Sequence, residues 1–92
     1  MRIMKSIEDI REKYLCKKWQ RESEEVEKMD KKDPKSISTL RKFLTTERKL
    51  CTLIRAKTDE PVLSSKMTEI LDENNRKFRL LSVAETLIKN GH

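Results

Sequence analysis

Basic residues recur every seven positions in the segment LRKFLTTERKLCTLIRAK. Arg41 and Lys42 are followed by Arg48 and Lys49, and seven residues further on by Arg55. Residues seven apart lie on one face of an α-helix, so the spacing predicts a continuous cationic ridge. Side chains that stand roughly 10 Å apart along a helix axis can reach the phosphates of a nucleic-acid backbone. We therefore interpret these five residues as candidate nucleic-acid-binding residues.

Two other roles remain open for this ridge. In an antiparallel hairpin, glutamates at the end of the first predicted helix would lie beside Lys35 and Arg41 and could pair with them. Those glutamates are Glu22, Glu24, Glu25 and Glu27. The second alternative is a solvated basic face without any partner.

Groups suited to catalysis or metal binding are scarce. The one histidine is His92, and the one glycine is Gly91, so neither an internal Ser/His or Cys/His pair nor a Gly-rich phosphate loop is present. Cys16 and Cys51 with His92 do not have the spacing of a structural zinc site, and they are better suited to packing as small apolar side chains. We predict a protein that is not an enzyme and that needs no cofactor and no metal.

The composition favours long helices over other folds. The chain has 92 residues, of which 41% are charged and 35% hydrophobic, with one Gly and two Pro. All-β folds and doubly wound folds of this size need many more turn residues. We expect one helical domain spanning 1–92.

Three amphipathic segments are separated by two proline-containing breaks. Asp33 before Pro34 indicates a helix start, and Pro61 falls in the first turn of the next segment. The predicted helices span about 6–30, 34–57 and 60–90. Their short connections favour antiparallel neighbours. The predicted fold is all-α, either an up-down three-helix bundle or an elongated helical hairpin with a long third helix.

The third predicted helix extends past the other two. Ile70, Asn74, Leu81 and Ile88 follow its apolar stripe and are predicted core or oligomerisation residues. A second copy of the chain would cover the overhanging stripe, so we expect a homodimer or higher homo-oligomer. A seam Asn can set register and oligomeric state, whereas a surface Asn near a break at 72–78 would have neither role.

The charge suggests what the protein binds. The net charge is +6, and the segment 31–60 holds nine basic and four acidic residues. The leading hypothesis is a small nucleic-acid-associated protein, such as an accessory protein of a phage or mobile element, that contacts phosphates without reading sequence. The alternative is a helical interaction module that binds an acidic or helical protein partner through exposed apolar faces. The absence of a signal-peptide core and of a long apolar run predicts a cytoplasmic protein without a membrane partner.

Overall fold

The chain folds into three α-helices, which confirms the predicted all-α fold. The computed structural model describes the backbone of residues 2–90 and the side chains of residues 7–90. Helix α1 spans Arg2–Lys28, α2 spans Lys35–Lys57 and α3 spans Pro61–Asn90. These described residues contain no strand. The helices form a three-helix bundle in which α3 is the longest, with 30 residues.

The two breaks lie where the prolines predict them. Asp33 Oδ1 accepts a hydrogen bond of 2.9 Å from the backbone N–H of Lys35, so its side chain supports the start of α2. Thr58 Oγ1 accepts one of 3.1 Å from the backbone N–H of Glu60, just before α3 begins at Pro61. Helix α1 begins four residues before the predicted start, and α3 continues through 72–78 without a break.

Helix α2 lies in the middle of the molecule. It packs against α1 and against α3, whereas α1 and α3 do not approach each other within 8 Å between Cα atoms of the described residues. The molecule measures 55 × 23 × 19 Å. Its core is correspondingly small. The buried apolar side chains are Leu15, Leu44, Leu50, Cys51, Leu71 and Leu81.

A polar chain in the interior connects all three helices. Trp19 of α1 donates from Nε1 to Glu47 Oε2 of α2 at 3.2 Å. Asn74 of α3 is fully buried and donates from Nδ2 to Glu47 Oε1 at 3.2 Å and to the Leu44 carbonyl at 2.8 Å. Since hydrogen bonds are directional, this chain restricts the rotation of α1 and α3 about α2.

A surface ion-pair cluster joins the start of α1 to the end of α2. Lys57 Nζ lies 2.6 Å from Asp9 Oδ1 and 3.1 Å from Glu12 Oε2. The hydrogen bonds to Asp9 and then Glu12 raise the pKa of Lys57 above its ordinary value of 10.5. A raised folded-state pKa means that the stabilisation is complete below the unfolded pKa and is lost as the pH rises through the folded pKa.

We therefore expect Lys57→Met to lower the free energy of unfolding at neutral pH, and the difference from wild type to shrink as the pH rises above 10.5 and through the raised folded-state pKa. Urea denaturation followed by circular dichroism at neutral and at alkaline pH measures this difference. Lys66→Met is the matched control, because Lys66 is exposed on α3 and has no ion pair among the described residues. If the stability loss of Lys57→Met persisted unchanged at alkaline pH, it could not arise from the ion pairs of the charged Lys57 ammonium group.

Candidate functional site

The three arginines of the predicted ridge contact α3. The guanidinium of Arg41 forms an ion pair with Glu85. Arg48 Nη2 donates to Asn75 Oδ1 at 2.5 Å, and its guanidinium carbon lies 4.6 Å from the centre of the Phe78 ring. These groups are therefore held beside the α2–α3 interface, and the glutamate that pairs with Arg41 comes from α3 rather than from the end of α1.

Arg55 follows the same pattern with a weaker contact. Its Nη1 donates to Thr68 Oγ1 of α3 at 3.5 Å. The side chain is exposed, as are those of Arg41 and Arg48. The three arginines are thus accessible to solvent, but each already donates a hydrogen bond to a side chain of α3.

The lysines of the ridge occupy a different face of α2. Lys42 and Lys49 are exposed, and Lys35 lies seven residues before Lys42 on the same face. These three residues, which we term the lysine row, form no ion pair among the side chains that the structure describes. Among the described side chains, the lysine row is the part of the predicted ridge that forms neither an ion pair nor a side-chain hydrogen bond to α3.

An apolar groove opens between the first half of α2 and the second half of α3. Its volume is about 600 Å³. The apolar side chains that line it, from α2 and then α3, include Ile37, Leu40, Leu44, Leu81, Ala84 and Ile88. We term this the α2–α3 groove. Its size is within the range of pockets that bind ligands of several hundred daltons or a few turns of helix.

The groove exists because the second half of α3 is apolar over a wide arc. Leu81 packs inward and is 7% exposed, whereas Leu80 and Ile88 at the groove are 62% and 52% exposed. Among the described residues, no Cα atom of α1 lies within 8 Å of one in α3, and no α1 residue lines this groove. A helix with so broad an apolar surface is normally covered by another element.

A second, smaller groove is lined by residues of all three helices, Glu47 among them. Its volume is about 280 Å³, and Cys16, Trp19, Cys51 and Met67 contribute to its lining. Both cysteines are free thiols. Burial, followed by the nearby Glu47 carboxylate, raises the pKa of the Cys51 thiol. Cys51 is therefore held in the protonated, poorly nucleophilic form.

The structure separates the four predicted seam residues of α3. Asn74 and Leu81 are buried, and Ile70 is half-buried and lines the smaller groove. Ile88 is 52% exposed and lines the α2–α3 groove. Ile88 is therefore accessible to a partner. Asn74 is not, because it is buried within one chain and donates hydrogen bonds to Glu47 and to the Leu44 carbonyl.

Sequence reasoning missed the α2–α3 groove. Its signal was present in the run of apolar residues Leu80, Leu81, Val83, Ala84, Leu87 and Ile88, which is too broad for a single helix–helix contact. Trp19 is half-buried, and its ring centre lies 5.7 Å from that of Phe43 of α2.

The described side chains also bear on metal binding and on membrane crossing. They contain no group of three or more His, Cys, Asp or Glu residues arranged to hold a metal ion. None of the helices in the described part of the chain combines the length and apolar character that crossing a membrane requires. Comparisons of this chain with known protein families, with curated proteins and with solved structures find no match.

Proposed function

We propose that the protein is a helical interaction module that binds an amphipathic helix of a partner protein in the α2–α3 groove. The observation that carries this proposal is the open apolar groove of about 600 Å³ between two packed helices. Amphipathic helices dock in such grooves by inserting apolar residues from successive turns. The groove offers several aliphatic side chains to receive them.

The exposed apolar residues at the groove support this proposal energetically. Leu80 and Ile88 each leave more than half of their surface in water. Fully burying an exposed leucine or isoleucine side chain contributes about 1.5–3 kcal/mol, so covering the remaining surface of each would contribute roughly half of that. A partner helix would cover both of them together with the half-buried Ile37 and Leu40.

The contacts of the arginines weigh against a phosphate-binding ridge as the main surface. Arg41 would have to leave Glu85, and Arg48 would have to leave Asn75 and Phe78, in order to bind phosphate with full strength. Each rearrangement lowers the net gain from the new contact. The groove, by contrast, is already formed.

A glutamate placed in the groove should abolish helix binding. Peptides selected on the wild-type protein from a displayed random library are tested by fluorescence anisotropy against Ala84→Glu. Ala84 lines the groove, and we expect the dissociation constant to rise at least tenfold, about 1.4 kcal/mol or more, because the carboxylate would be desolvated by the bound helix.

Ser82→Glu is the matched control for this experiment. Ser82 is exposed on the same helix and does not line the α2–α3 groove, so the same new charge should leave the affinity within about twofold. Equal losses in the two variants, or peptides that bind Ala84→Glu as well as wild type, would refute the groove as the binding site.

A second candidate function, phosphate contact, is favoured by the lysine row. Lys35, Lys42 and Lys49 are exposed at heptad spacing, and the chain has a net charge of +6. Unpaired lysines can neutralise backbone phosphates and release counterions. This surface lies on a different face of α2 from the groove, so the two functions do not exclude each other.

A salt titration tests the lysine row. For duplex DNA, the double variant Lys42→Ala/Lys49→Ala should lower the steepness of the plot of log affinity against log salt by about 2, since each lost phosphate contact contributes about 0.9. The control Lys13→Ala/Lys66→Ala removes the same charge from exposed positions on α1 and α3. Absence of binding at low salt, or equal changes in both variants, would eliminate this candidate.

A further inference from the structure

We infer that the helix received by the α2–α3 groove is acidic, with carboxylates flanking its apolar face. This inference rests on the proposed function and adds the chemistry of the partner. It comes from the charges at the rim of the groove and from the charges beside the apolar stripes that this chain itself exposes.

The rim of the groove is cationic at both ends. Lys31 and Lys32, in the connection before α2, lie at one end, and Lys77 of α3 lies at the other, near Leu44. One acid, Asp33, also lines the groove, but its carboxylate accepts the backbone N–H of Lys35. A docked helix would therefore meet positive charge on entering either end.

The length of the groove decides how far apart the partner's acids must lie. On α3 its lining runs from Lys77 to Ile88, a length of roughly 16 Å at 1.5 Å per residue. Carboxylates near both ends of the docked helix's apolar face would meet the two cationic ends together. Such pairs add specificity and accelerate association more than they add affinity.

The outer face of α1 in a second copy does not match this rim. Ile7, Ile10 and Tyr14 are 59%, 67% and 60% exposed and form an apolar stripe. The charged residues three or four positions from them along the helix are all basic: Arg11, Lys13, Lys17 and Lys18. Inserting this stripe into a lysine-rimmed groove would bring like charges together.

The outer face of α3 in a second copy has the same difficulty. Val83 and Leu87 are 56% and 65% exposed and lie four residues apart. The charged residue one turn before Val83 is Arg79, whereas Arg76, two turns before it, is paired with Glu73. Both exposed stripes of this chain therefore carry the wrong flanking charge, and an acidic helix from a different protein complements the groove better than a second copy does.

Two designed peptides test the inference. Each is a fluorescein-labelled helix of about 18 residues, or five turns, with leucines at heptad a and d positions. The flanking positions are all glutamate in one peptide and all lysine in the other. At low salt we expect the glutamate peptide to bind about tenfold more tightly, with the difference shrinking as salt is raised.

Charge reversal at the rim should invert this preference. In the triple variant Lys31→Glu/Lys32→Glu/Lys77→Glu, the lysine peptide should become the tighter ligand. The control Lys42→Glu/Lys49→Glu/Lys66→Glu has the same net charge, changes exposed residues outside the groove, and should still prefer the glutamate peptide. Circular dichroism of both variants checks that the helices are retained.

The outcomes separate this inference from the proposed function. If neither peptide binds, the groove is not a helix receptor and both proposals fail. If the lysine peptide binds wild type as tightly as the glutamate peptide, or if both triple variants behave alike, the groove receives a helix but the acidic partner is refuted. If sedimentation detects a wild-type dimer that Ala84→Glu dissociates, the occupant is a second copy and the inference is overturned.

Discussion

Replacing Asn74 with aspartate is expected to destabilise the fold by about 3 kcal/mol, since a buried carboxylate would replace a hydrogen-bonded amide. Asn74 is 0% exposed, and its Nδ2 donates to the Leu44 carbonyl and to Glu47 Oε1. Aspartate lacks these donors and places a second negative charge beside Glu47. A 92-residue domain has a total stability of about 5–14 kcal/mol, so the loss is a large share.

The pH dependence of this loss provides a second readout. Burial and the Glu47 carboxylate would raise the pKa of the new carboxyl group in the folded state. A raised folded-state pKa makes the native form bind more protons, so the deficit should grow as pH rises above about 4 and shrink in acid. Urea denaturation across this range, followed by circular dichroism, measures the deficit directly.

Asn75→Asp is the matched control at the next position. Asn75 is exposed, and its Oδ1 accepts the Arg48 guanidinium at 2.5 Å. Aspartate keeps this acceptor and adds an opposite charge, so no loss of stability is expected. Equal losses at both positions would point to helix propensity instead of burial and would remove the special role of Asn74.

Leu44→Ala is expected to destabilise the protein by about 3 kcal/mol and to lower the melting temperature by about 15 °C. Leu44 is 2% exposed and forms the base of the α2–α3 groove, and its carbonyl accepts the Asn74 amide. Truncation removes buried apolar surface and leaves a cavity in a core that has few other apolar residues. Thermal unfolding by calorimetry measures the change.

Leu87→Ala serves as the control for this truncation. Leu87 is 65% exposed on the outer face of α3, so the same loss of atoms should change stability by less than about 0.5 kcal/mol. If Leu87→Ala were as damaging as Leu44→Ala, the outer face of α3 would be covered in solution, and self-association through that stripe would have to be reconsidered.

The helices were predictable from the sequence because their signals are local. Apolar periodicity marks each amphipathic segment, and Pro34 and Pro61 mark the breaks between them. Helix α1 starts at Arg2 rather than near Ser6. Helix ends are determined by weaker signals than helix interiors, which explains this difference.

The arrangement of the helices was less predictable, because periodicity identifies an apolar face without saying which faces meet. Arg41 could have paired with glutamates at the end of α1, but Glu85 of α3 is its partner. The separation of α1 from α3, on which the groove depends, is a property of the packing as a whole. The lysine row, in contrast, was visible at heptad spacing and is exposed.

The central position of α2 makes the molecule two helical hairpins that share one helix. Within the described residues, Cα atoms of α1 and of α3 come within 8 Å of α2 but not of each other, and Glu47 accepts hydrogen bonds from Trp19 of α1 and Asn74 of α3. Either outer helix can therefore separate from α2 and lose only the contacts of its own hairpin. If α1 separates from α2, or if its sequence changes, α2 and α3 still form the groove to which a partner would bind.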